Sequence, residues 1–248
     1  MQENSAKNRI NIMIEIKNLT KKYGDKPAVD NISLSVKKGE IFALLGVNGA
    51  GKTTTIRILS CLSKATSGEA LINGYNCETE SDKVKKIIGI SPQETSVALN
   101  LTVRENLEFM AQIYGLEKSR ADDMIKLFNM TDVENSRAKT LSGGWQRKLS
   151  IAMAIIAQPQ VLFLDEPTVA LDVLARRELW KTIESLKGKI TIILTTHYME
   201  EAEALSDRIA IMIDGKISAC GTLPELEKIS GKQGLENVFV EIAERSRT

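Results

Sequence analysis

Only three cysteines, Cys61, Cys77 and Cys220, occur in the 248 residues. Their number is odd, they are scattered, and they lack metal-ligand spacing, which excludes a disulfide framework and a zinc cluster. Free thiols in a reducing compartment are the expectation. Net charge is nearly absent too: 33 basic residues face 32 acidic ones, a formal +1. No basic field therefore marks nucleic acid as a partner. Long apolar runs are also missing. The longest candidates, at 151–157, 161–164 and 209–213, fall far short of the ~18 residues that cross a bilayer, so a transport role would need a pore from another polypeptide. Residues 1–11 are polar with no apolar core, and no signal peptide is expected there. There is one histidine, His197.

What is present begins at Gly46-Val47-Asn48-Gly49-Ala50-Gly51-Lys52-Thr53, with Thr54 following. This is a full match to the phosphate-loop pattern G-x-x-x-x-G-K-[ST]. Its context fits: 40–45 reads as a buried strand and 52–62 as the following helix. The glycines let the backbone curl so that successive N–H groups point at phosphate oxygens. Lys52 brings a compact positive charge to the β- and γ-phosphates, and the Thr53 hydroxyl is placed to ligate Mg²⁺. The chain is expected to bind a nucleoside triphosphate.

Two further segments carry chemistry. Residues 161–167, Val-Leu-Phe-Leu-Asp-Glu-Pro, form an apolar strand whose acids emerge at the carboxyl end, where ligands bind in open α/β sheets. Asp165 suits a supporting role toward Mg²⁺, and Glu166 suits orienting or deprotonating an attacking water. Residues 141–148, Leu-Ser-Gly-Gly-Trp-Gln-Arg-Lys, open an apolar helix. Ser142 is a natural N-cap, and Gly143 and Gly144 leave bare N–H groups at its start, a second anion-binding helix terminus. One nucleotide needs one cradle, so the second is expected to serve a nucleotide held by another copy.

A phosphate loop, then LSGG-x-Q, then an apolar strand ending in Asp-Glu-Pro resembles the ATP-binding-cassette ATPases. The resemblance extends in order along the chain. It implies that Tyr23 stacks on adenine, that Gln93 contacts Mg²⁺ and answers to a membrane subunit, and that Asp172 lies in a loop crossing a dimer interface. His197 matches the histidine that contacts the γ-phosphate. Trp145, Ala170 and Val173 depart from the commonest pattern. The segments TTHYMEEAEA (195–204), LTVRENLEFMAQIYGL (101–116) and Gly234-Leu-Glu-Asn-Val-Phe239 are similar to cassettes paired with ABC-2-type exporter permeases. The resemblance thus implies ATP and Mg²⁺ as ligands, and a second copy of the chain and an integral membrane permease as partners. It implies a cytoplasmic location, peripheral at the inner face of the membrane, and export of drugs, antibiotics or lipids. An importer subunit is the alternative, ahead of a soluble non-transport cassette; a small-molecule kinase has no use for LSGG.

The expected fold is α/β: a phosphate-loop NTPase core of the RecA-like type with a mostly parallel sheet, an N-terminal antiparallel β subdomain and an inserted helical subdomain carrying LSGG. Expected boundaries are a flexible tail at 1–13, the ATPase domain at 14–235 with its helical subdomain at about 95–157, and a short tail at 236–248. The charge pattern between 223 and 248 reads as two packing helices.

Overall fold

The computed structural model of the protein describes residues 11–246. Its N-terminal part is a hairpin of two long strands, β1 (Ile12–Tyr23) and β2 (Lys26–Lys37), extended on the other side of β1 by β4 (Ser67–Ile72) and β5 (Tyr75–Asn76). All its pairings are antiparallel. Along β1, Met13, Ile14, Ile16 and Leu19 are buried while Lys17 and Asn18 face out, as a sheet with one wet face requires.

The second sheet has the order β10-β9-β3-β8-β7-β6. Its central strand is β3 (Ile41–Leu45), flanked by β8 (Thr191–Thr196) and β9 (Arg208–Ile213); β7 (Val161–Asp165) and β6 (Ile88–Ser91) continue beyond β8. These five are parallel, and only the edge strand β10 (Lys216–Gly221) pairs antiparallel. Every residue of β3, β7 and β8 is buried, which is why they read as continuous apolar runs rather than alternating ones.

Helix α1 (Lys52–Leu59) follows β3, and the short α2 (Ser81–Lys85) precedes β6. Between β6 and β7 come α3 (Val103–Ile113), α4 (Ser119–Leu127) and α5 (Gly143–Ile155), the helical insertion. Thr102 and Glu105 form a capping box at the start of α3. Then α6 (Val173–Glu184) and α7 (Met199–Leu205) alternate with the remaining strands, and α8 (Leu223–Ser230) and α9 (Leu235–Arg245) close the chain.

Three expectations need correction. The helix after the phosphate loop ends at Leu59, not at 62, because Cys61 takes the left-handed conformation (φ 61°) and the amides of Leu62 and Ser63 fold back to the Arg57 carbonyl. The tail boundary at 13 cuts into β1, where Met13 is 2% exposed; residues 1–10 lie outside the described residues. The boundary at 235/236 divides α9, whose Val238, Phe239 and Ile242 pack into the main core. An amphipathic helix with an apolar stripe buries it rather than trailing as a tail. All three cysteines are free, and burial pushes the Cys77 thiol up to about 12.

Candidate nucleotide site

The carboxyl ends of β3, β7 and β8 lie side by side, and the chemistry-bearing residues follow directly from them. Gly46 leaves β3 with its N–H donated to the Thr196 carbonyl at the end of β8 (3.2 Å). The loop 46–51 then turns into α1 through Gly51, whose φ of 103° excludes other residues. A Cβ there would lie 2.4 Å from the Ala28 carbonyl oxygen. No side chain caps α1, so its first amides remain available to an anion. Val47, Asn48 and Gly49 stand exposed, whereas Gly46, Ala50 and Lys52 are buried.

Lys52 is turned inward. Its Nζ donates to the carbonyls of Gly46 (2.7 Å) and Val47 (3.3 Å) and pairs with Glu166 Oε1 at 3.2 Å. Glu166 Oε2 lies 2.5 Å from His197 Nδ1. One buried carboxylate therefore bridges the lysine of the phosphate loop and the only histidine. Beside it, Asp165 Oδ1 accepts from the hydroxyls of Thr53 (3.1 Å) and Thr195 (2.5 Å). The Glu166 amide donates to both the carbonyl (3.1 Å) and the hydroxyl (3.0 Å) of Thr195. That double anchor holds Glu166 at φ 50°, an unfavourable conformation for a residue with a Cβ. The paired oxygens of Thr53 and Asp165 are hard donors of the kind Mg²⁺ takes, so this donor set fits that ion.

The remaining candidates sit further off. Gln93 is exposed, and its side chain makes no hydrogen bond to Thr53 or Asp165; its carbonyl is held by Arg147. Tyr23, 55% exposed, ends β1 on the hairpin whose return strand touches the phosphate loop at Ala28, with Lys21 Nζ 5.1 Å from its ring. Ser142 caps α5 by accepting from Trp145 N at 3.5 Å, a long bond that leaves the hydroxyl weakly engaged. Gly143 lines a cavity of 530 Å³ shared with Gln93, Arg147 and Ala170, and residues 46–53 take no part in that cavity. Asp172 caps α6, accepting from Leu174 N and Ala175 N at 2.9 Å each. Trp145 packs on Lys148, whose Nζ lies 4.4 Å from the ring.

Sequence reasoning missed three residues here. Thr195 binds both acids of the Asp-Glu pair. Arg147, 4% exposed, donates from α5 to the carbonyls of Pro92 and Gln93 at 2.5 Å each, tying the glutamine segment to the signature helix. Burial pulls its guanidinium below its ordinary pKa, against the opposing attraction of Asp165 and Glu201. Glu201 is wholly buried in α7. Only the position of Thr195, next to strand-end polar residues, was a visible signal.

Comparison with known proteins identifies the family. The ABC transporter family matches residues 29–169. The human phospholipid-transporting ATPase ABCA3 is 43% identical over 217 residues, covering 84% of this chain, and the chain spans 13% of that relative's length. The linearmycin resistance ATP-binding protein LnrL of Bacillus subtilis (strain 168) is 42% identical over 219 residues, 86% of this chain and 70% of that protein. Among solved structures, the dimeric cassette MJ0796 bound to ADP and Pi superposes with a TM-score of 0.75 at 30% identity, covering 85% of this chain and 99% of its own. The phosphate loop, the Asp-Glu pair and the histidine thus stand in a chain that belongs to the ABC transporter family.

Proposed function

We propose that the chain is the ATP-hydrolysing subunit of an ABC exporter. The observation that carries this is the Lys52–Glu166–His197 chain of contacts at 3.2 and 2.5 Å, beside the Thr53–Asp165 pair. ATP enters with its phosphates on the amides of 46–54 and its base against Tyr23. Lys52 then moves its charge from Glu166 to the phosphate oxygens, which frees the carboxylate to accept a proton from water. His197 holds the far side of Glu166 and steadies the γ-phosphate. Thr53 and Asp165, with Gln93 completing the set, would hold Mg²⁺, which would supply neutralisation of developing phosphate charge.

Gly143 shares its cavity with Gln93 and Ala170 and with no residue of 46–53, which favours the use of Ser142, Gly143 and Gly144 on ATP held by a second copy. Asp172 directly follows Leu171 of the same cavity, and a head-to-tail homodimer of two such chains has two complete sites. The dimeric state of MJ0796 with its ADP and Pi supports this arrangement. Among the described residues no helix is long and apolar enough to cross a membrane. An ABC-2-type permease supplies the pore, and the subunit works at the inner face of the membrane. Relatives named for linearmycin resistance and for phospholipid transport support an amphipathic antibiotic or lipid as cargo.

Glu166→Gln tests the assignment. The variant binds ATP, loses at least about 100-fold in turnover, and collects as a dimer on gel filtration with ATP. Hydrolysis at the parent rate would remove Glu166 from the role.

A further inference from the structure

Behind the site lies a buried acid that the hydrolytic scheme leaves unused. Glu201 lies in the first turn of α7, four residues after His197, and it is 0% exposed. Trp180 of α6 donates its indole N–H to Glu201 Oε1 (3.3 Å). Among the described residues the other oxygen, Oε2, completes no hydrogen bond, and neither does the hydroxyl of Thr168, itself wholly buried. A bare carboxyl oxygen and a bare hydroxyl in one dry space are costly unless they meet.

The surroundings give this acid reach. Thr168 lies in the loop 165–172, two residues after Glu166; Glu166 and Ala170, on either side of it, hold positive φ of 50° and 62°. Thr196, also 0% exposed, directly precedes His197, and its carbonyl receives the Gly46 amide. Burial pushes the Glu201 carboxyl above its ordinary pKa, opposed by the hydroxyls of Thr196 and Thr168 and the indole of Trp180, while Glu166 adds to the rise. Arg147 is the charged group that attracts it from α5.

We propose that Glu201 is a positioning residue that fastens the Glu166 loop, through Thr168, and the His197 segment, through Thr196, into one unit. The Thr168–Glu201 bond is poised in the nucleotide-free arrangement and closes when the loop 165–172 settles for turnover. Glu201 touches neither nucleotide nor water. It sets the separation of the two groups that do, and so acts on kcat rather than on ATP binding.

This rests on Glu166 being the hydrolytic base, and the two fail separately. The base assignment fails if Glu166→Gln turns over normally, whereas this one fails only in variants of Glu201 and Thr168. Steady-state ATPase of the full chain is measured for Glu201→Leu, Glu201→Gln, Thr168→Val and the Thr168→Val/Glu201→Leu double variant. Glu201→Leu is expected to lose 10- to 30-fold in kcat with KM for ATP within threefold. Glu201→Gln offers an acceptor to Trp180 and a donor to Thr168, and is expected to retain kcat within threefold. The double variant is expected to be no slower than Glu201→Leu, since both changes remove one contact. Thr168→Val, close in shape and stably folded on its melting curve, is expected to lose three- to tenfold in kcat, and it decides the matter if Glu201→Leu does not fold. Unchanged kcat in Thr168→Val, failure of Gln to rescue, KM rising in step with the loss of kcat, or additive losses in the double variant would each overturn the proposal.

Discussion

Lys52 and Glu166 are bound to each other, yet they depend on each other unequally. The ammonium has two carbonyl acceptors besides the carboxylate, whereas among the described residues the Glu166 carboxylate has only His197 besides the lysine. Both side chains are nearly enclosed, at 5% and 6% exposed. Removing one member of such a buried pair strands the other and costs on the order of 3 kcal/mol. Lys52→Ala is therefore expected to destabilise the nucleotide-free protein by about 3 kcal/mol, and Glu166→Gln by less than half of that. Urea denaturation of both variants without ATP checks the order. An equal or reversed ranking would mean that the carboxylate, not the carbonyls, holds the lysine.

The signature helix α5 is set by contacts that leave little room for change. A Cβ on Gly89 of β6 would stand 2.1 Å from the Ala154 carbonyl near the end of α5. Backbone cannot yield as a flexible side chain does, so Gly89→Ala must lift the helix off the sheet. We expect a loss of at least about 2 kcal/mol in stability and weaker ATP-dependent dimerisation, read by melting and by gel filtration; a variant that melts and dimerises as the parent does would show that the helix can shift freely. Much of this frame was legible in the sequence. The continuous apolar runs at 41–45, 161–164 and 190–194 marked β3, β7 and β8, and glycines around Lys52 marked the loop between strand and helix. Short elements were not legible: β5 has two residues, α2 has five, and neither carries a period to detect. β10 escaped because its burial alternates irregularly on an edge. At the site, motif residues lie at strand ends where spacing is visible, while Arg147 and Glu201 act across the fold from helices. Their partners are backbone carbonyls or residues outside the local pattern, which no spacing reveals.

For the molecule as a whole, the position of β3 matters most. It pairs with β8 and β9, whose residues lie some 150 positions later in the chain, and the Gly46 amide is held by Thr196. Contacts of such separation form late, because a long loop must close before they gain anything. A chain truncated after residue 206 keeps every residue proposed to contact ATP but lacks β9 and β10. It is expected to bind ATP at least tenfold more weakly than the full chain in equilibrium dialysis; equal affinity would show that the loop forms without its downstream neighbours. The same geometry governs biosynthesis. While a ribosome is still making this chain, residues 46–54 have already emerged, but the strands that shape them have not. The nascent polypeptide is therefore unable to capture ATP when its phosphate loop first emerges, and nucleotide capture begins only once β8 and β9 have been made.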